Sequence, residues 1–219
     1  MIISFDIETC PIPLDLMSPQ QIERLNKELA RQARQDAERQ IGRTDEDRSR
    51  LVRSTHPMLG WICCIAVVRY DERSKRIHTP KSYTAGHYAE EPAMLERFWA
   101  DLQKVGMAQW VSFNGKRFDS PFLRCRTLTH SLRITNLQPL HTHPFQHRPH
   151  ADLMTIFRPT MTLADLCALL GVESPKDGFC GADVAQAVEE GRIVDVAEYC
   201  EGDVIPPLKC YLKARHTIA

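Results

Sequence analysis

A charge of one sign is what this sequence most plainly lacks: 28 Lys and Arg stand against 28 Asp and Glu in 219 residues, a formal net of zero. A protein that holds a polyanion by bulk positive potential is basic, so any nucleic-acid partner must be held by local patches or bound metal ions instead. A disulfide framework is also missing. Cys10, Cys63, Cys64, Cys125, Cys167, Cys180, Cys200 and Cys210 are scattered, with no CxxC and no paired metal spacing. Cys63 and Cys64 lie inside an apolar run, where a reduced thiol behaves as a small hydrophobe; the expected compartment is a reducing cytoplasm. No apolar stretch approaches the roughly 20 residues that span a bilayer, so no membrane partner is expected. No secretory leader is read, because the strand-like Ile2-Ile3-Ser4-Phe5 follows Met1 at once. Repeats and low-complexity linkers are lacking too, and nothing points to a protein partner.

What is present is an ordinary globular composition, 43% hydrophobic and 26% charged. A chain of this length buries most of the surface its unfolded form exposes and needs no metal or disulfide staple. It reads as one domain over residues 1–219, carrying a charged helical insertion at about 18–54. Ile2 to Ile7 is a short strand, expected at the centre of a sheet. Ser18-Pro19 then offers an N-cap followed by Pro at the first helical position. Ile22, Leu25 and Leu29 recur at helical spacing on an otherwise charged surface. Its plain reading is a solvated helix; the sharper one is a strand clamp lined by Arg24, Lys27, Arg31 and Arg34. Trp61 to Tyr70 is a buried strand with a hairpin partner at Ile77 to Tyr83. A helix follows at Pro92 to Val105, a strand at Gln109 to Phe113 and a helix at Phe118 to Leu128. Further helices are expected at 162–170, 181–190 and 193–215. Strands first and helices later argue for a mixed α/β sheet with helices on its faces.

Three separated places put carboxylates where a metal could use them. In Phe5-Asp6-Ile7-Glu8-Thr9, alternation along a strand sends Asp6 and Glu8 to one side and Phe5 and Ile7 to the core. Two like charges at the end of a buried strand repel unless a cation neutralises them. In Phe113-Asn114-Gly115-Lys116-Arg117-Phe118-Asp119, a strand runs through a glycine turn into a helix. Asp119 falls at the helix start, where capping is the plain alternative. In Tyr199-Cys200-Glu201-Gly202-Asp203, residues four apart share a helix face, so the Tyr199 hydroxyl and the Asp203 carboxylate can converge. A surface i,i+4 pair is the plain alternative there.

The order DxE, NGxxFD, YxxxD resembles the DEDDy branch of the DnaQ-like exonucleases, and most closely the predicted PolB-like 3′-5′ exonucleases. The likeness extends over most of the chain. It includes His150-Ala151-Asp152-Leu153, Thr162 to Leu166, Leu170-Gly171-Val172, Lys176, Gly181, Val184 and Gly191-Arg192-Ile193, and it leaves out the helical insert. The resemblance implies a ribonuclease H-like α/β fold and two divalent ions, Mg²⁺ or Mn²⁺, as hard oxygen donors favour. It implies Asp6, Glu8, Asp119 and Asp203 as metal ligands and Tyr199 as the residue that orients the attacking water. Thr9, Asn114 and Phe118 match positions beside the terminal nucleotide, and Lys176 a further substrate contact. The implied partner is single-stranded or 3′-terminal DNA, with nucleoside 5′-monophosphates as products. An exoribonuclease acting through the same carboxylates, or a non-catalytic nucleic-acid-binding module, are the competing readings. One departure is visible: Pro206-Pro207 follows Asp203 closely, which predicts a kink or restart just past that ligand.

Several other residues invite a role. His141, His143, His147 and His150 lie in or beside a Pro-rich segment without regular zinc spacing. Asp152 reads as structural at a strand end. Trp61, Trp99 and Trp110 lie in apolar segments and read as core. Lys116, Arg117, Arg124 and Arg126 flank the second motif, where they are either phosphate contacts or solvated helix charges.

Overall fold

The computed structural model describes residues 1–157, 161–174 and 178–218. Its first strand, β1 (Ile2–Pro11), carries the alternation read above: Phe5 and Ile7 are buried, while Asp6 and Glu8 retain some exposure. Strand β2 (Gly60–Asp71) is a near-continuous apolar run, buried on both faces along most of its length. It pairs antiparallel with β1 from Ile2↔Tyr70 to Pro11↔Gly60, with a register shift after Glu8. The expected hairpin partner of β2 is split into β3 (Arg76–Ile77) and β4 (Lys81–Thr84), both antiparallel to β2. Pro80 lies in the gap and has no N–H to give the ladder. On the other side of β1, β5 (Gln109–Ser112) and β6 (His150–Asp152) run parallel to it, giving the order β3-β2-β1-β5-β6. The first strand is therefore central, as expected.

The ladder between β1 and β5 ends at Ser4↔Val111. β5 itself ends one residue later, at Ser112, so Asp6 to Thr9 run on past its end. The longer central strand thus leaves room for a site at one end of the sheet.

Helices cover the sheet. These are α3 (Glu91–Leu102), α4 (Asp119–Thr129), α8 (Ile193–Asp203) and α9 (Ile205–Ile218), with the shorter α5 (Leu153–Phe157), α6 (Leu163–Leu170) and α7 (Val184–Glu189) between them. The expected run 193–215 is two helices: α8 stops at Asp203 and α9 begins two residues later. Pro206 and Pro207 fall in the first turn of α9, where a missing N–H costs no helical hydrogen bond. The break thus comes just past Asp203, and Tyr199 and Asp203 stay on one continuous helix.

The segment after β1 forms α1 (Pro19–Glu38) and α2 (Asp45–Thr55). Ser18 closes a capping box with Gln21, and Pro19 is at the first helical position, as read from sequence. Leu25, Val52 and Leu59 form a small core of their own, with Met17 and Leu29 against it. Arg24 and Arg31 pair with Glu28, at 2.6 and 2.7 Å, and Lys27 pairs with Glu23 at 2.6 Å. Three of the four cations of the suggested clamp are thus engaged along their own helix. No helix among the described residues is long and apolar enough to cross a membrane.

Candidate active site

Four carboxylates and a tyrosine meet where β1 runs on past the end of β5. Asp6 and Glu8 project from β1 toward α8. Their carboxylate oxygens and the Cys200 sulfur form a group lying within 4.8 Å of one another. Cys200 Sγ is 3.8 Å from the Asp6 carbonyl oxygen and 4.0 Å from Asp6 Oδ2. Asp119, the first residue of α4, is buried, and its Oδ1 accepts the Ile7 N–H at 3.1 Å. That donor belongs to the part of β1 that β5 no longer pairs, so the second motif is tied directly to the first. Asp203 and Tyr199 come from the last turns of α8.

The electrostatics follow from crowding four anions. Burial first, then the charges of Asp119, Glu8 and Asp203, push the Asp6 carboxyl well above the usual carboxylate range. Burial and the charges of Asp203 and Asp119 push Glu8 to about 8. Burial lifts Asp119 to about 7, although its own N–H and that of Ile7 act in the opposite sense. Asp203 is raised by burial and partly relieved by Tyr199. The Tyr199 hydroxyl is pushed well up, by burial and then by the charges of Asp203 and Glu8, so it keeps its proton at neutral pH. An oxygen-rich pocket of this kind fits a hard divalent cation, which would relieve the mutual repulsion and restore all four carboxylates to their ionised form. Cys200 puts a soft atom beside it. Burial holds its thiol far up the scale, so it lies there as a neutral group.

The turn between β5 and α4 is held from below by Asp152. One carboxylate oxygen accepts the Asn114 N–H (2.9 Å) and the Met154 N–H (3.0 Å), and the other accepts the Lys116 N–H (3.0 Å). Asn114 sits at φ 67°, a left-handed conformation that asparagine tolerates better than most residues. Gly115 leaves no room for a side chain: a Cβ there would lie 2.4 Å from Ser112 Oγ and 3.4 Å from Asp119 Oδ2. Asn-Gly is thus what lets the chain turn tightly enough to deliver Asp119 to β1.

The remaining sequence candidates fall in different places. Thr9 is nearly buried, and its hydroxyl donates to the Ser54 carbonyl at 2.7 Å. Phe118 is partly buried with its ring against Phe122, centroids 5.5 Å apart. Lys176 lies outside the described residues. Arg126 is neither a phosphate contact nor a solvated charge: it is buried and paired with Glu91 at 2.6 Å, and Glu91 also accepts the Ile62 N–H. Lys116 is likewise buried and donates to the His143 and Gln146 carbonyls. Trp61, Trp99 and Trp110 are core residues, as expected.

His150 belongs to a buried strand and not to the loop before it. Its Nδ1 faces the His141 carbonyl (3.1 Å), which can only accept, so Nδ1 carries the proton and Nε2 accepts the Ser112 hydroxyl at 2.7 Å. Burial, then the Lys116 charge, lowers this imidazole to about 3. Between pH 3 and about 6.5 the unfolded chain binds a proton here that the folded one does not, so stability falls as pH drops through that window. We expect His150→Asn to show a shallower acid limb than wild type, by up to about 1.4 kcal/mol per pH unit. Urea titrations at pH 6.5, 5.5 and 4.5 measure it, and parallel curves would refute the assignment.

No curated protein matches the sequence. Among solved structures, the family B DNA polymerase from the hyperthermophilic archaeon Pyrobaculum calidifontis superposes with a TM-score of 0.60 at 16% identity. The match covers 98% of this chain and 24% of the polymerase. Exonuclease I gives a TM-score of 0.42 at 16% identity, over 92% of this chain and 42% of its own. The chain thus spans about a quarter of the polymerase. The polymerase match shows the fold, the ribonuclease H-like sheet with flanking helices. Residues 55–219 match the family described as predicted 3′-5′ exonucleases related to the exonuclease domain of PolB. That match begins where α2 ends and takes in Asp119, Tyr199 and Asp203, while Asp6 and Glu8 join them through the central strand. The chain belongs to this family of predicted PolB-related 3′-5′ exonucleases.

Proposed function

We propose that the chain, as a single domain with α1 and α2 inserted, is a metal-dependent exonuclease. It removes nucleotides from the 3′ end of single-stranded or recessed DNA and releases nucleoside 5′-monophosphates. It works in the cytoplasm, which suits eight free cysteines. The reading rests on one observation: carboxylates from three distant segments come together at one end of the sheet, Asp6 beside Glu8, Asp119 bonded to the Ile7 N–H between them, and Asp203 near enough to act on both Asp6 and Glu8. These four would hold two Mg²⁺ or Mn²⁺ ions. Ions of that kind, when bound, activate a water and stabilise the departing oxygen of a phosphodiester.

The chain's own residues do the rest. Asp6 and Glu8 project from one edge of the opening and Asp203 from α8. Asp119 is fixed against β1 by the Ile7 N–H. Tyr199, protonated at neutral pH, orients the attacking water by hydrogen bonding and does not abstract its proton. Thr9, Asn114 and Phe118 flank the terminal nucleotide on the β1 and β5–α4 side.

Tyr199→Phe is expected to lose roughly 10² to 10⁴ in kcat, the range for a positioned acid–base partner. Single-turnover hydrolysis measures it, and a rate within threefold of wild type would remove Tyr199 from the mechanism. The reading as a whole is tested by a time course on 5′-labelled DNA and RNA strands with Mn²⁺ or Mg²⁺, against a chelator control. A ladder shortening from the 3′ end of DNA supports it. Shortening of RNA alone transfers the site to an exoribonuclease, and no hydrolysis of either leaves a binding module.

A further inference from the structure

At the end of the sheet away from the carboxylates lies a second cleft, of about 740 Å³. It is lined where β1 and β5 start, at Ile2 and Gln109, by the segment before β6 and by the last turns of α9. Ile2 and Asp6 stand four residues apart on one strand, about 13 Å. A ligand in this cleft therefore occupies a place separate from one held at the carboxylates.

Two guanidiniums line the cleft. Arg148 is exposed, and its side chain makes no ion pair or hydrogen bond among the described residues. The backbone around it is fixed: the Gln109 side chain donates to the His147 carbonyl at 2.8 Å, and the Trp110 N–H donates to the Pro149 carbonyl at 2.7 Å. Arg215, on α9, gives Nη1 to Glu72 at 3.2 Å and keeps Nη2 without a partner among the described residues. Glu72 also accepts the Met1 amino group at 2.9 Å, and no other acidic side chain lines the cleft among the described residues. Tyr211 feels both guanidiniums: burial pushes its hydroxyl up the scale, and Arg148 and Arg215 act against that. In a chain of zero formal net charge this is a local excess of cations.

Guanidinium forks match the oxygens of a phosphate, as paired, charge-assisted donors. Ile2, Met107 and Pro149 give the same cleft an apolar wall. Cations beside an apolar wall, in a volume typical of small-molecule sites, suit a phosphate carried on an organic body better than a bare ion. We propose that this cleft binds a nucleoside 5′-phosphate, with Arg148 and Arg215 on the phosphate and the apolar wall against the base or sugar. The ligand is either a free nucleotide or the phosphorylated 5′ end of a strand, which present the same group. The choice of a nucleotide over other organic phosphates rests on the exonuclease reading; the anion site does not.

Calorimetry in chelator tests it, because without metal the crowded carboxylates repel a phosphate. Deoxyadenosine 5′-monophosphate is expected to bind, and deoxyadenosine to give no measurable heat. Inorganic phosphate should bind about tenfold more weakly than the nucleotide, the worth of burying about two methylene groups. Arg148→Ala should weaken the nucleotide about 10- to 150-fold, a charged hydrogen bond expressed as an affinity ratio. Asp6→Asn should leave the affinity within about twofold, since the two places do not overlap. No binding of the monophosphate, or binding that Arg148→Ala and Arg215→Ala both leave undiminished, overturns the proposal. Equal affinity for inorganic phosphate, or loss of binding in Asp6→Asn, overturns it as well.

A DNA hexamer with and without a 5′-phosphate separates the two sources. A phosphorylated hexamer that binds more tightly than the monophosphate, beside a hydroxyl-ended one that does not, assigns the strand end. A phosphorylated hexamer that binds more weakly assigns the free nucleotide. Nucleotide binding here without hydrolysis of any strand would sink the exonuclease reading and leave the cleft assigned, whereas hydrolysis without binding here sinks the cleft alone.

Discussion

Asp6→Asn is expected to lower kcat/KM for 3′ hydrolysis by about 10³ to 10⁵ while leaving the fold intact. Asp6 is the carboxylate on which all the others act: Asp119, Glu8 and Asp203 each raise its proton affinity, and its oxygens lie beside Glu8 and Cys200. Removing its charge takes away one of the four carboxylates that would hold the ions. Ion-derived stabilisation is worth several kcal/mol, and each 1.36 kcal/mol is a factor of ten in rate. The amide is nearly isosteric, and without metal it relieves repulsion among the remaining carboxylates. The melting temperature in chelator should therefore hold or rise, even as activity disappears. Opposite movements of stability and activity separate a site residue from a structural one. Activity within tenfold of wild type would end the assignment of Asp6.

Asp152→Ala should act in the other direction, on the scaffold first. Its two buried oxygens accept the backbone N–H groups of Asn114, Lys116 and Met154, with a longer bond from Thr155, in a buried to partly buried setting. Alanine leaves these donors without that acceptor. A buried donor left unsatisfied costs about 1–3 kcal/mol, and allowing for relaxation the total is about 3–6 kcal/mol. Against a typical stability of about 5–15 kcal/mol this is a large fraction, readable as a shift in the urea midpoint. Asp152→Asn retains one acceptor oxygen and should fall between alanine and wild type. Hydrolysis should drop as well, because the freed turn no longer presents Asp119 at a fixed distance from Ile7. A loss below about 1 kcal/mol for the alanine variant would show that these donors find partners elsewhere.

How much of this could be read in advance depended on whether the signal was local. Asp6 and Glu8 were legible because two-residue alternation is a property of any strand, and Tyr199 and Asp203 because four-residue spacing is a property of any helix. The break before α9 was legible from Pro206 and Pro207. What stayed hidden depends on chain segments meeting. Nothing around Arg126 indicates that Glu91, 35 residues earlier, waits for it in the core. Cys200 adjoins Tyr199 in sequence but lies under Asp6 only because α8 packs on β1 and β2. Arg148 and Arg215 look like two unrelated surface charges until the segment before β6 and the end of α9 meet in one cleft. Asp152 reads as structural from its strand end, but its hold on the Asn114 and Lys116 amides becomes visible only once β5 and β6 are side by side.

The register shift after Glu8 has a bearing on how this scaffold can vary. Glu8 faces Cys64 and Thr9 faces Ile62, so Cys63 is the supernumerary residue, and a bulge of this kind bends and twists the strand that carries it. Beyond it the two strands continue as a ribbon fastened to α2, through Thr9 to the Ser54 carbonyl and through Arg53 to the Ile12 carbonyl. The ribbon has its own bend, and α2 supplies its fastenings. Helices or loops of quite different size can therefore stand in place of α1, so long as α2 is kept, without changing the distance from Asp6 to Asp203. The carboxylate end of the molecule and its ornament are free to diverge at different speeds.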